Sequence, residues 1–189
     1  VENIKYYKIM ETFDLRNGRK LVVEQDEFAE SPREWDNLGT MVCFHRRYDL
    51  GDKHTYNHND YDSWEEMEQA IRNHYEVLVL KPLYLYDHSG ITISTSPFSC
   101  NWDSGRIGFV FIDKDKLQNM TGDADGHSLD YLDEVIEAEV KTYDQYLTGE
   151  VYGYRTYEIE TCSLGCEHQT ELDSCWGYYS EDEAEAEAK

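Results

Sequence analysis

The stretch that decides the fold is PLYLYDHSGITISTSPFSCNWDSGRIGFVFID, residues 82–113. Three apolar segments inside it, at 83–86, 91–94 and 107–112, have the length and residue types of β-strands. The two breaks between them are rich in Asp, Gly, Ser and Pro, which is typical of turns and loops. We therefore predict a β-rich core whose connecting loops carry polar groups capable of chemistry.

Two helices and further strands flank this stretch. Ser63 begins a predicted helix with Glu66 three residues later, a pattern typical of a capping box. Ser128 begins a second predicted helix that runs to about Leu147. Short strands are expected at residues 4–10 and 20–26, joined at Asn17-Gly18.

The predicted fold class is α+β: a mainly antiparallel β-sheet packed by two α-helices. A single domain is expected over residues 1–179, because this length can bury a sizeable core. Residues 180–189, SEDEAEAEAK, are expected to form a flexible acidic tail.

The predicted core centres on the long stretch. Trp102 and Cys100 are expected to be largely buried, since both residue types are usually found inside proteins. The neighbouring core positions are Leu83, Leu85, Ile107, Phe109 and Phe111.

Charge is the strongest compositional signal, with 40 acidic and 17 basic residues and a net charge of −23. It is uneven, because residues 121–189 alone carry 19 acidic and three basic residues. Such a surface repels nucleic acid and anionic membranes and attracts basic protein grooves. A plain solvated acidic surface is the simpler interpretation, and both remain open.

Five cysteines, at 43, 100, 162, 166 and 175, are an odd number for a chain of this size. No apolar signal segment begins the sequence, and no apolar run approaches the roughly 18 residues of a membrane span. These features favour a reducing cytoplasm with free thiols and no membrane association.

One candidate catalytic set consists of His88, Cys100 and Asp103 on the two central loops. A cysteine nucleophile needs a base within hydrogen-bond reach and a third group that orients the base. The residue types fit a Cys/His hydrolase-like enzyme, whereas packing of Cys100 in the core is the non-catalytic alternative. We favour a protein that is not an enzyme and needs no cofactor.

A candidate zinc set consists of Cys162, Cys166, His168 and Cys175. Three thiolates and one imidazole would suffice for a structural zinc ion and a small zinc-stabilised interaction domain. The three residues between the first two cysteines depart from the usual spacing of two, so we predict no metal. His54 and His58 in the polar segment 49–62 could also hold a metal, but a polar loop is the preferred interpretation.

Four blocks of the sequence resemble, in order, segments of a family of small proteins encoded by bacterial phages and mobile elements. They are SPREWDNLGTMVCFHRRYDLGD (31–52), LYLYDHSGITISTSPFSCNWDSGRIGFVFI (83–112), YDQYLTGEVYGY (143–154) and ELDSCWGYY (171–179). The resemblance implies a context, because such genes often encode inhibitors of host defence, and it brings no catalytic residues. In the family the region matching 162–168 varies, which weighs against zinc.

We therefore predict an acidic inhibitor of a host defence nuclease, a CRISPR effector or a restriction enzyme, in the bacterial cytoplasm. It would act as a DNA mimic in a nucleic-acid-binding groove, and would not bind nucleic acid itself, because its lysines and arginines are few and scattered. The predicted partner-binding residues are the acids of the second helix: Asp130, Asp133, Glu134, Glu137, Glu139 and Asp144.

Overall fold

The computed structural model describes residues 9–15 and 18–188 of the 189. The predicted strand at 4–10 lies mostly outside this part, as does Asn17 of its predicted turn. The chain divides into two compact units. We call Ser31–Thr148 the central unit, and the two remaining segments, Val1–Glu30 and Gly149–Lys189, the terminal unit.

The described residues contain eight strands and four α-helices. The strands are β1 (Ile9–Asp14), β2 (Arg19–Gln25), β3 (Thr40–Cys43), β4 (Val77–Asp87), β5 (Ile91–Ser94), β6 (Ser104–Asp113), β7 (Tyr152–Thr161) and β8 (Glu167–Tyr178). The helices are α1 (Trp64–His74), α2 (Lys114–Thr121), α3 (Leu129–Thr148) and α4 (Glu181–Ala188). None of these helices combines the length and the apolar character needed to span a membrane.

The central unit is a four-stranded antiparallel sheet in the order β3-β6-β4-β5, with helices on both faces. Strand β6 lies inside the sheet and is buried from Ile107 to Asp113. Its side chains alternate between the faces. Phe109 and Phe111 join the cluster that contains α1 residues, whereas Val110 and Ile112 join the cluster that contains α3 residues. The continuous apolar run of this strand is the pattern expected when both faces are covered.

Helix boundaries in the central unit follow local capping signals. The Ser63 hydroxyl accepts a hydrogen bond from the Glu66 N–H at the start of α1, as predicted. The Ser128 hydroxyl accepts one from the Tyr131 N–H at the start of α3, and the helix ends close to the predicted Leu147. Helix α2 was not predicted, although its N-cap Asp113 directly follows β6.

A buried ionic network joins the loop before β3 to α3. The Arg33 side chain is 5% exposed and donates two hydrogen bonds to Asp52, from Nε to Oδ1 (2.8 Å) and from Nη2 to Oδ2 (2.7 Å). Glu139 lies 3.4 Å from Arg33 Nη1 and accepts hydrogen bonds from the backbone N–H groups of Leu38 (2.8 Å) and Gly39 (3.0 Å). Burial raises the pKa of Glu139, although these N–H groups and Arg33 oppose the rise.

The terminal unit is a second antiparallel sheet, in the order β1-β2-β7-β8. Helix α4 packs on it, and Ala184 is fully buried in a cluster with Leu21, Val23 and Tyr154. Residues 181–188 are therefore helical and packed, which corrects the prediction of a flexible tail. Ala184 and Ala188, four residues apart, lie on the same side of this helix and give it a small apolar contact surface against the sheet.

The α+β class is confirmed, but its composition differs from the prediction. The described residues form two sheets and four helices, where one sheet and two helices were expected. The five predicted core residues other than Trp102 and Cys100 are all buried.

Trp102 is 96% exposed, so its predicted burial is wrong, and Cys100 is only half-buried. The pairing of β4 with β6 ends at Tyr86 and Ser104, so Trp102 lies beyond the last paired residue. The loop carries the indole out of the sheet and away from the core.

Replacing Glu139 with Ala should lower the free energy of unfolding by about 3 kcal/mol, because it leaves a buried guanidinium and two backbone N–H groups short of a partner. Glu134→Ala, on the same helix but exposed, should change it by less than about 0.5 kcal/mol. Urea denaturation of both variants measures the difference. Equal effects of the two substitutions would contradict a structural role for Glu139.

Candidate functional site

The six predicted partner-binding acids of α3 fall into three groups. Asp130 and Glu134 are exposed. Asp133 and Glu137 share one cation, since Lys81 Nζ lies 2.7 Å from Asp133 Oδ2 and 2.6 Å from Glu137 Oε1. Burial alone would lower the pKa of Lys81, but the hydrogen bonds to these two carboxylates raise it.

The remaining two acids hold the fold together. Glu139 belongs to the buried Arg33 network. Asp144 Oδ1 accepts hydrogen bonds from the Ile93 N–H (2.7 Å) and the Thr92 hydroxyl (2.5 Å), which ties α3 to β5. We therefore leave both residues out of the proposed partner-binding surface, because both carboxylates already have hydrogen-bond partners inside the central unit.

Four of the predicted acids thus define an outward surface, which we call the α3 acidic face: Asp130, Asp133, Glu134 and Glu137. At 100° per residue, they fall within about 100° of the helix circumference. The apolar stripe, which contains Leu132, Ile136 and Val140, is turned to the core. The carboxylates therefore form one band along the flank of the helix beside the apolar stripe, and Asp133 and Glu137 at one edge of this band reach Lys81 of β4.

The structure brings His88, Cys100 and Asp103 together, as their loops predict. Asp103 Oδ2 lies 3.2 Å from His88 Nδ1 and 3.9 Å from Cys100 Sγ, so the carboxylate stands between the other two. A cysteine nucleophile needs the imidazole beside the thiol to take its proton. Here the carboxylate contacts the thiol, and this order of groups does not form the predicted catalytic arrangement.

The four residues of the candidate zinc set do not meet. Cys162 and Cys166 face each other across the turn between β7 and β8, and His168 pairs with Glu160 just beyond it. Cys175 pairs with Tyr154 much farther along the hairpin. Cys175 is nine residue steps along the strand from Cys166, which is about 30 Å at 3.3 Å per step. Within the described chain, no group of three or more His, Cys, Asp or Glu side chains gathers as a metal site.

The turn itself creates an unusual environment for one thiol. The Cys166 N–H donates to Cys162 Sγ at 3.3 Å, and the Gly165 N–H donates to the Cys162 carbonyl at 2.9 Å. Gly165 adopts a φ of 83°, which closes this turn at little cost only for glycine. Hydrogen bonds from the Leu164 and Cys166 N–H groups lower the pKa of the Cys162 thiol.

A groove in the central unit was missed at the level of sequence. It has a volume of about 730 Å³ and is lined by parts of the segment 43–59, including Arg46, Lys53 and His54. A second depression of about 480 Å³ shares Phe44, His45 and Arg46 with it and extends to Trp102 and Arg106. Two sequence signals could have identified this groove: the Arg46-Arg47 pair and the long irregular segment between β3 and α1.

No family model, curated protein or solved structure matches this chain. Three surface features of the described chain are candidates for a function: the α3 acidic face, the turn that holds Cys162, and the two adjoining depressions around Arg46, which we call the Arg46 groove.

Iodoacetamide at pH 7 should alkylate Cys162 before Cys175, because the turn N–H groups favour the reactive thiolate. Cys43 should stay unmodified in the folded protein, since burial raises its pKa to about 12. As the pH is lowered, the rate of Cys162 alkylation should fall only at a pH below the usual thiol pKa of about 8.5, because the thiolate is protonated there. Peptide mass spectrometry at a series of pH values measures each rate.

Gly165→Ala provides a matched control for this turn, because a side chain disfavours the positive φ and should disturb the N–H groups around the sulfur. The midpoint of the Cys162 rate should then move to higher pH. Alkylation of Cys162 no faster than Cys175 in the unsubstituted protein would contradict the role of these hydrogen bonds.

Proposed function

We propose that this protein is a non-enzymatic inhibitor that binds a basic nucleic-acid-binding protein through the α3 acidic face. The proposed target is a host defence nuclease, a CRISPR effector or a restriction enzyme, and the proposed setting is the bacterial cytoplasm during infection or transfer of a mobile element. The setting is motivated by the resemblance of four sequence blocks within residues 31–179 to phage and mobile-element proteins. The observation that carries the proposal is the spacing of exposed carboxylates on one side of a fixed helix.

The charge density of this face is comparable with that of a nucleic acid strand. Its four carboxylates lie within eight residues, from Asp130 to Glu137, which is about 10 Å of helix axis at 1.5 Å per residue. One strand of B-DNA places a phosphate about every 3.4 Å, or roughly three over the same length. Lys81 offsets one of the four carboxylate charges, so the net charge also comes to about −3.

The face is held in place before any partner binds. Glu139 fixes α3 to the loop before β3, and Asp144 fixes it to β5. Lys81 and Thr95 hold Glu137, with the Thr95 hydroxyl 2.8 Å from Oε1. A preorganised surface loses less conformational entropy on association, so more of its electrostatic attraction contributes to binding.

The surrounding charge supports a basic partner. The central unit carries 22 acidic and ten basic residues. Long-range attraction between this surface and a cationic groove would accelerate association and would be screened over about 8–10 Å at physiological ionic strength. The two alternatives, a hydrolase-like enzyme and a zinc-stabilised domain, gain no support from the contacts of their candidate residues.

The test uses the double variant Asp130→Lys with Glu134→Lys, which reverses the two exposed acids of the face. In cleavage assays with a panel of restriction and CRISPR nucleases, the unsubstituted protein should inhibit at least one enzyme. The variant should need at least tenfold more protein for the same inhibition. Its melting temperature should change little, because exposed charges contribute about 0–1 kcal/mol to folding.

Glu34→Lys with Asp36→Lys is the matched control, since both acids are exposed in the loop before β3 and the net charge changes equally. Inhibition by this control and by the unsubstituted protein should weaken as sodium chloride rises from 50 to 300 mM. Inhibition that survives reversal of the α3 acids and is indifferent to salt would refute the proposal.

A further inference from the structure

The Arg46 groove has no role in the proposed function. It is formed largely by the segment between β3 and α1, where residues 44–63 contain only one short turn of 3-10 helix, His58–Asp60. Irregular segments of this length in compact proteins commonly carry binding functions.

Cations concentrate at this place in an acidic chain. Four of the ten basic residues of the central unit line the two connected depressions: Arg46, Arg47, Lys53 and Arg106. Arg46 and Lys53 are exposed, and neither forms an ion pair within the described part of the chain. Their charges are available to an anionic ligand.

The lining also contains four acidic residues, Asp49, Asp52, Asp87 and Asp103, so its formal charge is about zero. Asp52 is held by the buried Arg33, Asp87 pairs with Arg47, and Asp103 lies 3.2 Å from His88. Asp49 is the exposed exception. The local balance is thus far less negative than the net charge of −23 implies.

Aromatic rings accompany these cations. Trp102 is almost fully exposed at the second depression, with a free indole face. His45 stacks on Tyr48 with ring centres 4.9 Å apart and an interplanar angle of 11°. A planar ring from a ligand could stack on such surfaces, as nucleobases do on exposed aromatic side chains.

Two buried polar atoms of the lining have no hydrogen-bond partner among the described residues. They are His54 Nδ1 and Arg106 Nε. His54 is oriented by a 3.0 Å contact between Nε2 and the Cys43 carbonyl, and Arg106 lies over the Phe109 ring at 4.3 Å. Because both atoms are inaccessible to solvent, a ligand in the groove does not reach them, and the binding proposed here does not depend on them.

We propose that this groove binds nucleoside phosphates, with the base stacked on Trp102 and the phosphate held by Arg46 and Lys53. A single-stranded oligonucleotide fits this chemistry better than a duplex. Its bases can be splayed onto an aromatic ring, whereas duplex bases are already stacked. A duplex also brings one phosphate per roughly 1.7 Å of axis towards a strongly acidic protein, which increases the repulsion. This proposal departs from the sequence-based expectation that the chain does not bind nucleic acid directly.

The test measures the fluorescence anisotropy of two labelled probes in 50 mM salt: a ten-nucleotide oligo(dT) and a duplex of equal length. Unlabelled AMP is then added as a competitor. The unsubstituted protein should bind the single strand at least tenfold more tightly than the duplex. Trp102→Ala should weaken binding about tenfold through lost stacking. Arg46→Glu with Lys53→Glu should weaken it at least as much and reduce its salt dependence.

Two controls separate site effects from general ones. Leu164→Ala removes another highly exposed apolar side chain, and Arg72→Glu with Lys141→Glu makes the same change in net charge outside the groove lining. Both should bind like the unsubstituted protein. If AMP displaces the oligonucleotide with an affinity equal to that of the oligonucleotide itself, the groove is assigned to free nucleotides. If the oligonucleotide binds more tightly than AMP, the groove is assigned to single strands.

The proposal is overturned if neither probe binds at 100 micromolar protein, or if the groove variants and the controls lose affinity equally. The outcome is independent of nuclease inhibition, because the variants leave the α3 acidic face intact.

Discussion

The central unit depends on burying the Arg33 guanidinium. A charge removed from water is tolerated only when its hydrogen bonds are satisfied, and Arg33 obtains partners from Asp52, Glu139 and the Gly39 carbonyl (2.7 Å). These partners come from a turn after β3, from α3 and from the loop before β3. One cation therefore fixes three segments that are distant in the chain. Lys116 donates to the Gly39 carbonyl at the end of this loop (3.3 Å) and to the hydroxyl of Thr40, the first residue of β3 (3.0 Å).

This network also explains the polar residues that surround the strands. Asp52 accepts a hydrogen bond from the Met41 N–H at 2.8 Å as well as from Arg33, so its position sets where the segment 44–53 leaves the sheet. The Arg33 network that anchors α3 therefore also positions Asp52 and Lys53 in the lining of the Arg46 groove. Gly51, with a φ of 72°, allows the tight turn that brings Asp52 there.

Features encoded by local sequence were predictable. The apolar run of β6, the Ser63 cap and the stripe of α3 depend on neighbours a few residues away, and the structure has all three. Features that depend on distant partners were not. Glu139 and Asp144 look like surface acids in a helical pattern, yet their partners lie about 100 and 50 residues away. Trp102 was misplaced because the end of strand pairing, and not residue type, decides its exposure.

Net charge is a poor guide to local binding, because it averages the charges of surfaces that contact different ligands. A net charge of −23 excludes nucleic acid contact only if charge is spread evenly, and screening over about 8–10 Å makes a groove respond mainly to its own lining.

An acidic binding face also raises a problem of stability. The carboxylates of Asp130, Asp133, Glu134 and Glu137 repel one another, and like charges at this spacing destabilise an isolated helix. Lys81 relieves part of this repulsion from the adjacent strand. The apolar stripe packs α3 on the sheet, Glu139 binds the loop before β3, and Asp144 binds β5. Because folding depends on those contacts and not on the outward acids, the face can keep a charge density suited to a basic partner without loss of the helix that displays it.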